Sequence, residues 1–299
     1  MGNFDDMKNA YELSAKMMDK KMSRDRPLDY EILKDVRKSS VVIVAGSYDR
    51  VEMVLDLIKV PYVLIQPTQF HQIDLRSDQI LIINCPGNIT KGFDKINKFV
   101  EEGGFLFTTD WALLNILEKV FPGYVKYNQR PTGDDCVAVQ IVDKSNSFLE
   151  GLFESDEEPI WWLENSSYPI RIENRTEVKV LIASKEMKSK YGEDPIVITF
   201  DVGMGTILHM TSHYYLQRAD LRNKRHKTSA KEYAKAELGL SDDETQDFEA
   251  DFEKVSLGEA ESAYSTTQFI GNVIIEQQKR VKLRKNKKIK KKEDSNNNK

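Results

Sequence analysis

The chain has 299 residues, 40% of them hydrophobic, which is enough for a sizeable core, and no apolar run of about 18 residues offers a membrane span. Two cysteines, Cys85 and Cys136, are too few for a disulfide framework or a zinc site, so a reducing, cytoplasmic setting is expected. The net charge of −4 hides an asymmetry: 279–292 hold ten Lys or Arg and no acid, leaving 34 basic against 48 acidic residues elsewhere.

The first segment, 1–38, is charged and Met-rich, with no apolar stretch of the secretory kind. It opens Met-Gly-Asn, but Asp6 stands where a myristoylation signal needs Ser or Thr. Scattered apolar positions (Phe4, Met7, Tyr11, Leu13, Met17, Met18) predict amphipathic helix, broken at Pro27. This segment reads as a helical extension preceding a domain over 39–278.

Within that domain Val41–Ala45, Tyr62–Ile65, Ile80–Ile83 and Phe105–Thr108 are apolar throughout and alternate with helix-period segments. Strands of that kind are covered on both faces, so the pattern predicts a doubly wound, mostly parallel, flavodoxin-like α/β sheet. From Tyr124 to Ile207 the chain is strand-rich, with Cys136–Val142, Ile170–Ile172, Val178–Ala183 and Pro195–Phe200 as strands and Thr206–Thr211 following. A charged insertion, 218–261, comes next: 218–236 is basic and helical in pattern, while 237–261 hold ten acidic residues against one Lys. Tyr264–Gln278 reads as a closing helix, and the Lys-rich 279–299 as a disordered tail.

Several punctuating segments carry a family resemblance. Asn84-Cys85-Pro86-Gly87-Asn88 follows the third strand; Thr108-Thr109-Asp110-Trp111 makes a strand-to-helix turn; Ser147-Phe148-Leu149-Glu150-Gly151-Leu152 and Gly203-Met204-Gly205-Thr206-Ile207 lie further on; Thr211-Ser212-His213-Tyr214-Tyr215 closes the set. Over about 40–216 and 264–278 the chain resembles the class I glutamine amidotransferase-like superfamily, nearest in layout to its non-glutaminase, ThuA-like branches. The resemblance implies an oxyanion-type loop at Asn84–Asn88, a nucleophile position at Asp110, a base at His213 and the orienting acid's position at Tyr215. Two of those three catalytic positions depart from the family pattern. A carboxylate cannot replace the thiolate in acyl transfer from glutamine.

Each candidate has a plain structural alternative. Asp110 is placed to orient His213, to bind a cation or to N-cap the helix from Trp111. Cys85 is either a crevice thiol or a small apolar residue closing a turn. His209 and His213 share a strand face and with Asp110 would suit a divalent metal, although the spacing alone does not define a site and no cofactor is read from the sequence. Asn84, Gly87, Asn88, Trp111 and Tyr215 are the expected crevice lining, and Trp161-Trp162 are core or a contact surface. In the tail, Lys285, Lys287, Lys288, Lys290, Lys291 and Lys292 would attract polyanions, nucleic acid or anionic lipid, without reading sequence.

Three functions follow. The first is a non-catalytic protein- or ligand-binding module, a pseudoenzyme whose insertion covers the crevice or, with the N-terminal extension, docks a partner. The second is a hydrolase or isomerase using His213 and Asp110, and the third is polyanion association through the tail.

Overall fold

The computed structural model describes residues 7–153, 158–215 and 218–297, with side chains as far as Lys287. Twelve strands lie among them: β1 (Val41–Val44), β2 (Val63–Ile65), β3 (Ile80–Ile83), β4 (Phe105–Thr109), β5 (Val125–Tyr127), β6 (Asp135–Ala138), β7 (Gln140–Ile141), β8 (Ile160–Leu163), β9 (Ile170–Ile172), β10 (Lys179–Ala183), β11 (Pro195–Val202) and β12 (Gly205–Met210). Eight form one sheet in the order β2-β1-β3-β4-β12-β11-β10-β7. The five from β2 to β12 are parallel, and β11, β10 and β7 extend the sheet antiparallel. The doubly wound α/β reading is correct, and the order in which strands are added reverses between β1 and β3, where such sheets place their crevice.

Alternation along the parallel strands fills two separate cores. Val41, Ile43, Ile80, Ile82, Phe105 and Phe107 face one core, and Val42, Val44, Leu81, Ile83 and Leu106 face the other. The second core is closed by the helix Phe93–Glu101 and the helical segment that follows β4. The first is closed by the N-terminal helices Lys8–Asp25 and Pro27–Lys34 and by the last helix, Leu257–Asn297. That helix starts at a capping box, in which Ser256 Oγ accepts from Glu259 N while Glu259 Oε2 accepts from Ser256 N at 2.8 Å. Phe269, Ile270, Val273 and Ile274 then bury its apolar side.

The N-terminal helix joins the core through Tyr11. Its hydroxyl accepts from Tyr215 N at 3.1 Å and lies 3.0 Å from Thr266 Oγ1, and its ring stacks on Tyr215 at 5.3 Å. Tyr11→Phe keeps the stacking but orphans a buried N–H. It is expected to cost about 2 kcal/mol in urea unfolding, with no change in m-value.

Two expectations need correction. The last helix does not end at Gln278 but continues through Asn297. Lysine propagates helix well, and the first turns past Gln278 are anchored: Val281 is buried, Arg280 donates to Thr206 Oγ1 at 2.6 Å, and Arg284 donates to Gly103 O at 2.8 Å. The side chains of Lys288, Lys290, Lys291 and Lys292 lie outside the described residues. The insertion, for its part, is not helical across 218–236; helix begins only at Ala230, after Ser229 caps it. Upstream, Arg222 holds the chain extended by donating to Cys136 O, Asp220 and Glu186.

Candidate functional site

The carboxyl ends of β1, β3, β4 and β12 converge, and each contributes a titratable side chain. Asp49 follows β1, Cys85 follows β3, Asp110 follows β4 and His213 follows β12. Asp110 adopts a φ of 41°, sparsely populated by residues other than glycine but tolerated best by Asp and Asn. The backbone enforces it: Asp110 N donates to Met210 O at 2.8 Å, extending the β4–β12 pairing, while Leu113 N already reaches back to Asp110 O to start the helix. The side chain is therefore aimed into the crevice, where its carboxylate accepts from Ser167 and Tyr168 and not from the helix.

Around that carboxylate the groups are close. His213 Nε2 stands 3.1 Å from Asp110 Oδ2, and its Nδ1 2.9 Å from Glu164 Oε2. The ring nitrogens are poorly aligned with both oxygens, so these contacts act through charge more than through directed hydrogen bonds. Cys85 Sγ lies 3.9 Å from Asp110 Oδ2. Ser167 Oγ donates to Asp110 Oδ2 at 3.0 Å, and Tyr168 N donates to Oδ1 at 2.7 Å.

Burial and charge set the protonation states. Desolvation opposes a charge on His213, but the neighbouring Cys85, Asp110 and Glu164 together outweigh it and hold the imidazole well above its ordinary value. The carboxylates supply the negative charge, because burial pushes the Cys85 thiol up to about 11 and leaves it neutral at physiological pH. Burial likewise raises Asp110 and Asp49, against the opposing influence of His213 on both. Cys85 is thus a buried thiol and not a poised thiolate. Cys136 is also buried and pushed up to about 11. Neither cysteine is expected to react with an aromatic disulfide reagent in native protein at mildly alkaline pH; both should titrate once urea unfolds the chain.

What covers this cluster is the segment after β8. Thr132 Oγ1 donates to Glu164 O at 2.7 Å and accepts from Ser167 N at 3.1 Å. Trp111 Nε1 donates to Ser166 O at 2.7 Å, and the Trp111 ring stacks on Tyr168 at 5.5 Å. Cys85, Asp110 and His213 are each left about 1% exposed. The insertion expected to cover the crevice is anchored elsewhere. Arg218 and Arg222 reach the β6 region, the acidic part pairs with the N-terminal helix through Lys16–Asp251 and Arg24–Glu244, and Arg225 meets Glu261 on the final helix.

The other expected positions divide. Asn84 is buried and donates to Glu52 at 2.8 Å, Gly87 takes a φ of 73° against Ala112, and Trp111 lies at the rim. Asn88 is exposed. Tyr215 turns away, its φ of 63° sending the ring onto Tyr11, so it does not stand by His213 as the acid's position would. Glu164 stands there instead, brought from a different part of the chain. His209 is a core residue, its Nδ1 2.8 Å from Thr108 Oγ1, and burial pushes it down to about 3. Among the described residues the potential metal-ligating trio is therefore Cys85, Asp110 and His213, with ligating atoms within 4.8 Å of one another, and not the histidine pair. Both tryptophans are core: Trp161 donates to Ser265 and Trp162 to Asp134.

The site and sheet define a doubly wound α/β protein with a closed polar cluster at its switch point. No family model matches the chain, and no curated protein matches it. Similar solved structures include PurLQS from Thermotoga maritima (12% identity, 79% of this chain and 100% of that one, TM-score 0.47). A glutamine amidotransferase from Thermotoga maritima is similar over 81% of this chain and 99% of that one, at 9% identity and TM-score 0.46. A GH42 β-galactosidase from G. stearothermophilus matches 59% of this chain at 13% identity and TM-score 0.38, and the chain spans only 28% of its length. These likenesses concern fold class alone.

Proposed function

We propose that this chain is a non-catalytic binding module of the non-glutaminase, ThuA-like kind, working in the cytoplasm, in which the former catalytic crevice serves as a structural knot. The observation that carries this reading is the saturation of the Asp110 carboxylate. Both oxygens accept hydrogen bonds from the segment over the site, Oδ2 also faces His213, and Asp110 is only about 1% exposed, so the carboxylate meets no space a substrate would enter. A nucleophile or general base needs such a space within hydrogen-bonding reach. Partner contacts then fall to the outer surface, including the insertion and the N-terminal helices.

A second reading is favoured by one contact. Glu164 beside His213 Nδ1 completes an acid–base–acid relay running Asp110–His213–Glu164, which suits a hydrolase with a carboxylate nucleophile. It requires the covering segment to leave Asp110. Wild-type protein and Asp110→Asn, incubated with glutamine and with activated esters, separate the two readings. Equal, background-level release from both supports the binding module; turnover by the wild type that Asp110→Asn abolishes contradicts it.

A further inference from the structure

At the opposite end of the sheet from the crevice, a groove of about 450 Å³ runs between the chain entering β1, the turn before β3 and the last helix. Five cations line it, Arg37, Arg76, Lys279, Lys282 and Lys285, against the two carboxylates Asp35 and Asp78. Two of the five are held by the protein: Arg76 by Asp78 at 3.0 Å and by Ser39 O, and Lys279 by Asp29 at 2.7 Å and Glu276 at 3.0 Å. The side chains of Arg37, Lys282 and Lys285 make no ion pair or hydrogen bond among the described residues. The helix divides its basic residues by face. Arg280 and Arg284, four apart, pin it to Thr206 and Gly103, whereas Lys282 and Lys285, three apart, look into the groove.

We infer that this groove is a docking site for the phosphodiester backbone of a single-stranded nucleic acid, bound without regard to sequence. Free cations on two converging segments, with Arg76 on a third, make a channel of positive charge, the arrangement that tracks a phosphate backbone. A concave groove fits a strand better than the plane of a membrane. No aromatic side chain lines it, so bases are neither stacked nor read, and affinity comes from counterion release. The continuation of the helix carries further lysines of the sequence, from Lys287 onward, along the same axis. The inference is independent of the state of the crevice.

The test is fluorescence anisotropy of a labelled oligothymidylate of about 16 nucleotides, titrated with the full chain over roughly 50 to 200 mM salt. The wild type is compared with Arg37→Gln/Lys282→Gln/Lys285→Gln and with Arg37→Gln alone, which leaves the last helix untouched. We expect salt-dependent binding by the wild type and a loss of about tenfold or more in the triple variant, with the log–log salt slope reduced by about 2. Arg37→Gln should fall between them, with thermal unfolding unchanged in both variants. A triple variant that binds like the wild type overturns the proposal, because the lysines past the groove would then carry all the affinity. So does absence of oligonucleotide binding, whether or not phosphatidylserine vesicles are bound; vesicle binding alone would assign the charge to membranes.

Discussion

His213→Ala is expected to destabilise the protein by about 3–5 kcal/mol near neutral pH, because it leaves Asp110, and beside it Asp49, buried without their cation. Its pH dependence is the diagnostic part. The folded-state value of His213 lies above its ordinary 6.5, so its stabilisation is fully present below 6.5 and is lost as pH rises through the folded value. Asp110 is also raised, from 3.8, so its contribution is complete at acid pH and declines as pH climbs through its folded value. In the wild type the charged imidazole opposes that decline. In His213→Ala nothing does, so the folded value of Asp110 rises further and its loss becomes deeper as pH climbs. The difference between the two proteins in urea melts should therefore be smaller near pH 4, where Asp110 keeps its proton, than near pH 7. Above that it should narrow as the wild-type imidazole itself deprotonates. A variant of wild-type stability across this range would mean that His213 is not the cation of the cluster.

The second large effect lies in the insertion. Arg225→Ala removes the guanidinium that meets Glu261 at 2.7 Å and Glu237 at 2.5 Å, and Glu261 is buried in the first turns of the last helix. Loss of both ion pairs is expected to cost about 3 kcal/mol, with part of the loss appearing as detachment of the insertion. Limited proteolysis between Ala230 and Lys254 should become faster in the variant while the sheet stays intact. If the insertion were an independent flap over the crevice, the same variant would instead alter the exposure of Cys85 and leave the last helix unaffected.

Much of this architecture could be read from the chain because the parallel strands announce themselves. Val41–Val44 and Ile80–Ile83 are apolar at every position, which only a strand covered on both faces requires. Asp110 and His213 could be placed because each follows a strand of that kind directly. Asp49 follows β1 in the same manner, and its position was the available signal for it. Glu164, Ser167 and Tyr168 had none: they reach the site from the loop beyond β8, over a sequence distance that no local pattern encodes. Tyr215 shows the converse failure. Its place in the motif predicts a crevice residue, but stacking on Tyr11 turns it into the N-terminal interface. The continuation of the last helix was obscured because composition registers lysine density and not the two arginines that anchor the face beneath it.

The central claim is that the segment over Asp110 is a permanent part of the fold. Native-state amide hydrogen exchange at Tyr168, whose N–H donates to Asp110 Oδ1 at 2.7 Å, tests it most directly. If the crevice is a structural knot, that amide exchanges only with global unfolding, at a free energy matching the β4 and β12 amides. Exchange at Tyr168 through a low-energy local opening, with β4 and β12 still protected, would reveal an accessible carboxylate and contradict the account.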